Sequence, residues 1–167
     1  MNARPPSIVT TGCCEPFDPT PFRDAEWSWK DKLFVKDRVH SFLHIPLDMG
    51  RRVQRDMALI EAAHAEADHQ LMLTEDSSPW GADLFIEVSG PVPGATMATL
   101  SGRFLTRVYD GPFRDAGGWV ADMRAWVAQR GENVEKIYLG YTTCPACAKA
   151  YGHNYVVVFA KVAEPSH

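Results

Sequence analysis

Apolar residues between Val39 and Val162 fall into two runs of the same form, each predicting a strand, a helix and two further strands. In the first run Val39 to Ile45 reads as a strand ended by Pro46, and Met49, Val53, Met57 and Ile60 recur at helical spacing. Leu71 to Leu73 and Asp83 to Val88 then predict two short strands. In the second run a strand from about Leu100 to Tyr109 turns at Asp110-Gly111-Pro112, and Trp119, Met123, Trp126 and Val127 mark one helix face that Gly131 terminates. Ile137 to Leu139 and the apolar stretch Tyr155 to Val162 complete it; so long an apolar stretch predicts a strand covered on both sides. Gly90-Pro91-Val92-Pro93-Gly94 breaks both periods and separates the runs. Before them, Pro5, Pro6, Pro16, Pro19 and Pro21 predict an extended arm, and Trp27 and Trp29 alternate with polar residues as the chain approaches Leu33-Phe34-Val35.

The two runs are a duplication. A shift of 66 positions lays residues 39–79 on 105–145 and aligns Pro46 with Pro112, Asp56 with Asp122, Met57 with Met123, Ala62 with Ala128, Glu66 with Glu132, Leu73 with Leu139 and Pro79 with Pro145. One β-α-β-β unit cannot cover its own apolar sheet face, whereas two side by side can share one sheet. The expected fold is α+β, a six-stranded, mostly antiparallel sheet with two helices on one face and a ligand groove between the halves. An arm over 1–32 precedes a domain over 33–167, with repeats at about 33–89 and 99–163.

Composition narrows the partners. At 167 residues and 18.6 kDa, with 46% hydrophobic residues, the chain has the size of one globular domain. A net charge of −4 and a pI near 5.8 supply no basic field for a phosphate backbone, so nucleic acid is not an expected partner. No secretory apolar region opens the sequence and no apolar stretch is long enough to span a bilayer, so a cytoplasmic protein without a membrane partner is expected. The sequence leaves the oligomeric state open.

Candidate chemistry comes from three groups. Cys144-Pro145-Ala146-Cys147 can place two thiolates on one tetrahedral metal, with Cys13 and Cys14 as the other ligands of a structural zinc site. The same segment follows a strand and can open a short helix at Ala148, a setting that favours a reactive thiol, although too little chain follows it to complete a thioredoxin-type fold. Aromatic residues Phe42, Trp80, Tyr109, Phe113, Trp119, Tyr138 and Tyr141 border the expected groove and suit flat or cationic ligands, while Trp126 reads as core. Asp83 and Glu87 share one strand face and can bring carboxylates to the groove; His40 and His44 share another with Phe42 as a metal pair or acid-base group.

The duplicated unit, and above all Phe104 to Phe113 followed by Trp119, resembles the GyrI-like family of small-molecule-binding domains. That resemblance implies binding of bulky aromatic or cationic compounds between the repeats, and hydrolysis of strained rings in some members. The paired-cysteine arm and the segment Cys144 to Gly152 resemble a stand-alone bacterial subgroup labelled as hydrolases. Placed by the loop proline, the family's catalytic glutamate falls at about Leu139, flanked by Tyr138 and Tyr141, where no carboxylate stands. The expectation is a small-molecule binder. The alternatives are a hydrolase acting on an ester or strained ring through Asp83 or Glu87, and a thiol protein that performs redox chemistry or captures soft metals and electrophiles.

Overall fold

The structure, a computed structural model, describes residues 17–43, 45–68, 70–142 and 145–164. Two β-α-β-β units follow one another in it. The first comprises β1 (Ala25–Phe42), a two-residue strand β2 (Ile45–Pro46), α1 (Met49–Ala62), β3 (Met72–Ser78) and β4 (Gly81–Glu87). The second comprises β5 (Thr96–Asp110), α2 (Ala116–Gln129), β6 (Val134–Tyr141), a short helix α3 (Pro145–Tyr151) and β7 (Tyr155–Val162).

Six antiparallel strands run in the order β1-β4-β3-β6-β7-β5, and β5 pairs back onto β1, closing the sheet into a barrel. Closure was not anticipated from the sequence, and its cause is the length of β1. The strand runs across the expected boundary at residue 32 and pairs with β5 on both sides of a bulge, Ala25 to Trp29 with Thr106 to Gly102 and Lys32 to Lys36 with Leu100 to Thr96. Phe22, Trp27 and Trp29 thereby fold onto the inner face, so the segment expected as an arm seals the seam. Arg103 on β5 bonds Glu26 of β1, Glu132 before β6 and the Ala163 carbonyl, the last at 3.0 Å.

Alternation along the strands sorts their side chains onto two faces. Both helices lie outside. Ile60, Val53 and Met57 of α1 pack on Val35, Val39, Leu84 and Ile86, and Trp119, Met123 and Val127 of α2 pack on Leu105, Val156, Val158 and Ala160. The inner face closes on Phe34, Leu73, Phe85, Phe104, Tyr138, Val157 and Phe159, all buried. A methyl group on Gly140 would stand 2.9 Å from the Phe159 ring and 3.2 Å from the Val157 carbonyl, so glycine there admits that ring. Trp126, expected as core, is only partly buried at the margin of the α2 cluster, with the Arg107 and Arg130 guanidinium groups 4.9 and 5.1 Å from its ring centroid.

The duplication holds, but the single ungapped shift does not. Val39 and Leu105, 66 positions apart, take matching places on the first strand of each unit, packed beneath α1 and α2 in turn. After the helices, nine residues (63–71) lead to β3 but only four (130–133) lead to β6. A register shift in the β6–β7 pairing between Val134 and Lys136 exchanges the faces of the residues that follow, so Leu73 faces inward while Leu139, its partner in the ungapped alignment, packs outward beneath α2.

Under α1 lies a polar pair. Asp37 and Asp56 each keep one buried carboxyl oxygen without a partner among the described residues. Burial, then hydrogen bonding to Asp37 and its charge, push the Asp56 carboxyl up to about 7.

Candidate functional site

The solvent-facing mouth of the barrel is built by two strands of complementary sequence. Lys32, Phe34 and Lys36 alternate on the inner face of β1, and Asp83, Phe85 and Glu87 alternate on that of β4. Their antiparallel register sets Phe34 against Glu87, Lys36 against Phe85 and Arg38 against Asp83, so each aromatic ring meets a charged neighbour. On the other side of β4, Glu75 of β3 stands opposite Asp83, and Lys136 of β6 reaches Glu75 at 3.6 Å.

The floor is apolar. The Phe85 and Tyr138 rings meet at 5.8 Å and 77°, and Phe34 crosses Phe85 at 6.1 Å and 85°. Above it the acids are paired: Glu87 with Lys32 at 2.6 Å, and Asp83 with Arg38 at 3.2 Å and Lys36 at 3.9 Å. Glu87 also accepts the Leu71 amide at 3.1 Å, which ties its carboxylate to the start of β3. Burial, followed by the nearby charges of Glu75 and Asp83, pushes the Tyr138 phenol up to about 12, so its hydroxyl keeps its proton through the physiological range.

The seven aromatics singled out from the sequence separate into distinct places. Tyr138 alone reaches this mouth. Phe42 and Trp80 touch at 5.8 Å on an exposed tip formed by the β1–β2 and β3–β4 turns. Tyr109 stacks on Trp119 at 5.8 Å on the outer face, its hydroxyl donating to Asp122 at 2.5 Å. Burial, then that hydrogen bond and the Asp122 charge, raise the Tyr109 phenol far above its ordinary value. Phe113 and Tyr141 meet at 5.1 Å. Phe113 also borders an open depression of about 480 Å³ formed wholly by the second repeat, where His153 lies 2.7 Å from Asp110.

Asp83 and Glu87, the carboxylates chosen from the sequence, do come together at the mouth. Glu75, Phe85, Lys32 and Lys36 were missed. Their signal was present as the paired patterns Lys-Leu-Phe-Val-Lys and Asp-Leu-Phe-Ile-Glu, legible once β1 and β4 are recognised as neighbours. His40 is held by Asp48, whose carboxylate accepts both its backbone amide (2.8 Å) and its ring (2.9 Å). Burial works against ionisation of Asp48, yet the His40 and Arg52 hydrogen bonds lower its carboxyl to about 2. Cys13, Cys14, Cys144 and His44 lie outside the described residues, and Cys147 is buried at the start of α3. Among the described residues no three His, Cys, Asp or Glu side chains group to hold a metal, and no helix is long and apolar enough to cross a membrane.

A family model described as bacterial hydrolase matches residues 5–162. No curated protein matches the chain. Among solved structures, the C-terminal domain of EcmrR aligns with a TM-score of 0.64 at 8% identity, covering 84% of this chain and 97% of that one. A hydrolase from Listeria innocua aligns at 0.60 and 13% identity, covering 85% and 92%. SAV2435 bound to tetraphenylphosphonium aligns at 0.56 and 10% identity, covering 83% and 93%. At such identities the likeness is one of fold, and that fold fits the GyrI-like family the sequence resembles.

Proposed function

The chain belongs to the bacterial hydrolase family, and from that membership and the charged, aromatic-floored mouth of its barrel we propose that it binds a small aromatic molecule there. The observation that carries this reading is the opposition of Lys32-Phe34-Lys36 to Asp83-Phe85-Glu87, which sets an ionic rim above an apolar floor. A flat ligand would part the rim ion pairs and take their place over Phe85 and Tyr138, which are buried without it, its polar groups replacing the displaced partners. That a protein of this fold holds tetraphenylphosphonium, a bulky aryl compound, supports the aryl class.

The test is titration with an uncharged triaryl probe, triphenylphosphine oxide, followed by NMR. Saturable shifts confined to Lys36, Phe85, Tyr138 and their neighbours are expected. Shifts centred on Phe42 and Trp80 or on His153, or no saturation, would overturn the reading.

Hydrolysis is the second reading, favoured by the family description and by Glu75 facing Asp83 in register. One of these carboxylates would take a proton from water as the water oxygen attacks an acyl carbon, and return it to the alkoxide oxygen as the ester C–O bond breaks, releasing acid and alcohol. Loss of ester turnover by roughly 100-fold in Glu75→Gln or Asp83→Asn is the expected result, and unchanged turnover in both removes the residues from the role. A structural zinc held by Cys13, Cys14, Cys144 and Cys147 is a separate proposal. It is tested by metal analysis of protein purified without chelator, where one equivalent of zinc lost in Cys147→Ser supports it and no bound metal ends it.

A further inference from the structure

Two ammonium groups on β1 already sit where an organic cation would bind. Lys32 Nζ lies 2.6 Å from Glu87 Oε1 and 5.4 Å from the Trp29 ring centroid. Lys36 Nζ lies 3.9 Å from Asp83 Oδ2 and 5.7 Å from the Phe85 ring centroid. A carboxylate beside an aromatic face attracts a quaternary or protonated amine twice, through the acid and through the negative face of the ring. The barrel mouth holds two such cradles on one strand face, and side chains of the same chain fill both.

We infer that Lys32 and Lys36 are tethered substitutes for a cationic ligand, which reserve the mouth for uncharged or zwitterionic aromatics and turn simple organic cations away. This rests on the proposal that the mouth is the ligand site, and it adds the charge class that the site selects. The ionic balance supports it. Glu75, Asp83 and Glu87 are each within 4 Å of at least one of Lys136, Lys36, Arg38 and Lys32, so each of these three carboxylates already has a cation. An entering cation must therefore displace an ammonium group from its acid and ring, and the tether returns that group at high local concentration. A zwitterion must displace an ammonium group as well, but its anionic end takes over the released lysine while its cationic end takes over the acid, so both charges stay paired.

The two lysines differ in how readily they yield. The Lys36 side chain is 41% exposed and at the longer distance from its acid, while that of Lys32 is 27% exposed and close to Glu87. Lys36 is the more easily displaced of the pair, so its replacement gives the smaller gain for a cation.

The experiment measures tetraphenylphosphonium and triphenylphosphine oxide affinities for the wild-type chain, Lys36→Gln, the Lys32→Gln/Lys36→Gln double variant and Lys149→Gln. Lys149 lies on α3, away from the mouth, and controls for net charge. Removing the tethered charges should tighten tetraphenylphosphonium binding roughly fivefold or more in the double variant and less in Lys36→Gln, with Lys149→Gln unchanged. Equal tightening in Lys149→Gln would reduce the effect to bulk charge and overturn the inference. If the uncharged probe binds the wild-type mouth but the double variant gains nothing for the cation, the inference fails and the binding site stands. If the uncharged probe binds at the mouth of none of the four chains, the site reading fails and takes the inference with it.

Discussion

Asp56 is a carboxyl group placed where its charge is unwelcome. It lies on the buried side of α1 facing Asp37, and its folded pKa stands near 7, above the ordinary carboxylate value. The native state therefore binds more protons than the unfolded chain between about pH 4 and pH 7, and stability falls as pH rises through that window. Replacement by asparagine removes the penalty and offers Asp37 an amide donor. Denaturant unfolding should show Asp56→Asn stabilised by on the order of 1–2 kcal/mol at pH 8 and nearly neutral at pH 4. At this scale the sequence was only partly legible. Asp83, Glu87 and Tyr138 could be picked out because strand alternation alone assigns them a face. The Asp37–Asp56 pair and the lysine cradles could not, since each depends on which element packs beside which.

Elements were easier to read than their registers. Both helices and the final strand lie where periodicity places them, because α1, α2 and β7 each present one continuous apolar pattern to a neighbour. The strands after the helices were shortened to their apolar middles. Polar residues such as Glu75 and Lys136 belong to β3 and β6 but carry no hydrophobic signal. The register shift between Val134 and Lys136 also sets Leu139 on the outer face, a change of side that no periodic pattern in the sequence reveals. The β6–β7 pairing also carries a prediction. Gly140→Ala puts a methyl group against Phe159 and the Val157 carbonyl, and equilibrium unfolding should register a loss of about 1–3 kcal/mol.

For the molecule as a whole, the decisive contact joins Ala25–Lys36 of β1 to Thr96–Thr106 of β5, pairing residues from Lys36 with Thr96 to Ala25 with Thr106 that are far apart in the chain. No local pattern announces such a pairing, which is why the sequence suggests a groove and the structure closes it. Arg103 fastens this seam to Glu26, Glu132 and the Ala163 carbonyl, and the two carboxylates hold its guanidinium firmly protonated. Arg103→Met should cost about 1–3 kcal/mol and loosen the seam before the rest. Hydrogen exchange is the measurement: amides of β1 before the bulge at Trp29/Lys32 should exchange faster in the variant, while those of Val35 to Val39 keep their protection. A ring of strands has one more result. Each of the six long strands has a backbone neighbour on both sides, and the ring is thinnest where β3 and β6 share only the pairs from Met72–Tyr141 to Thr74–Leu139. If a foreign strand were to add to this sheet, the place open to it is that short junction, and the rest of the ring is closed to edge-to-edge pairing.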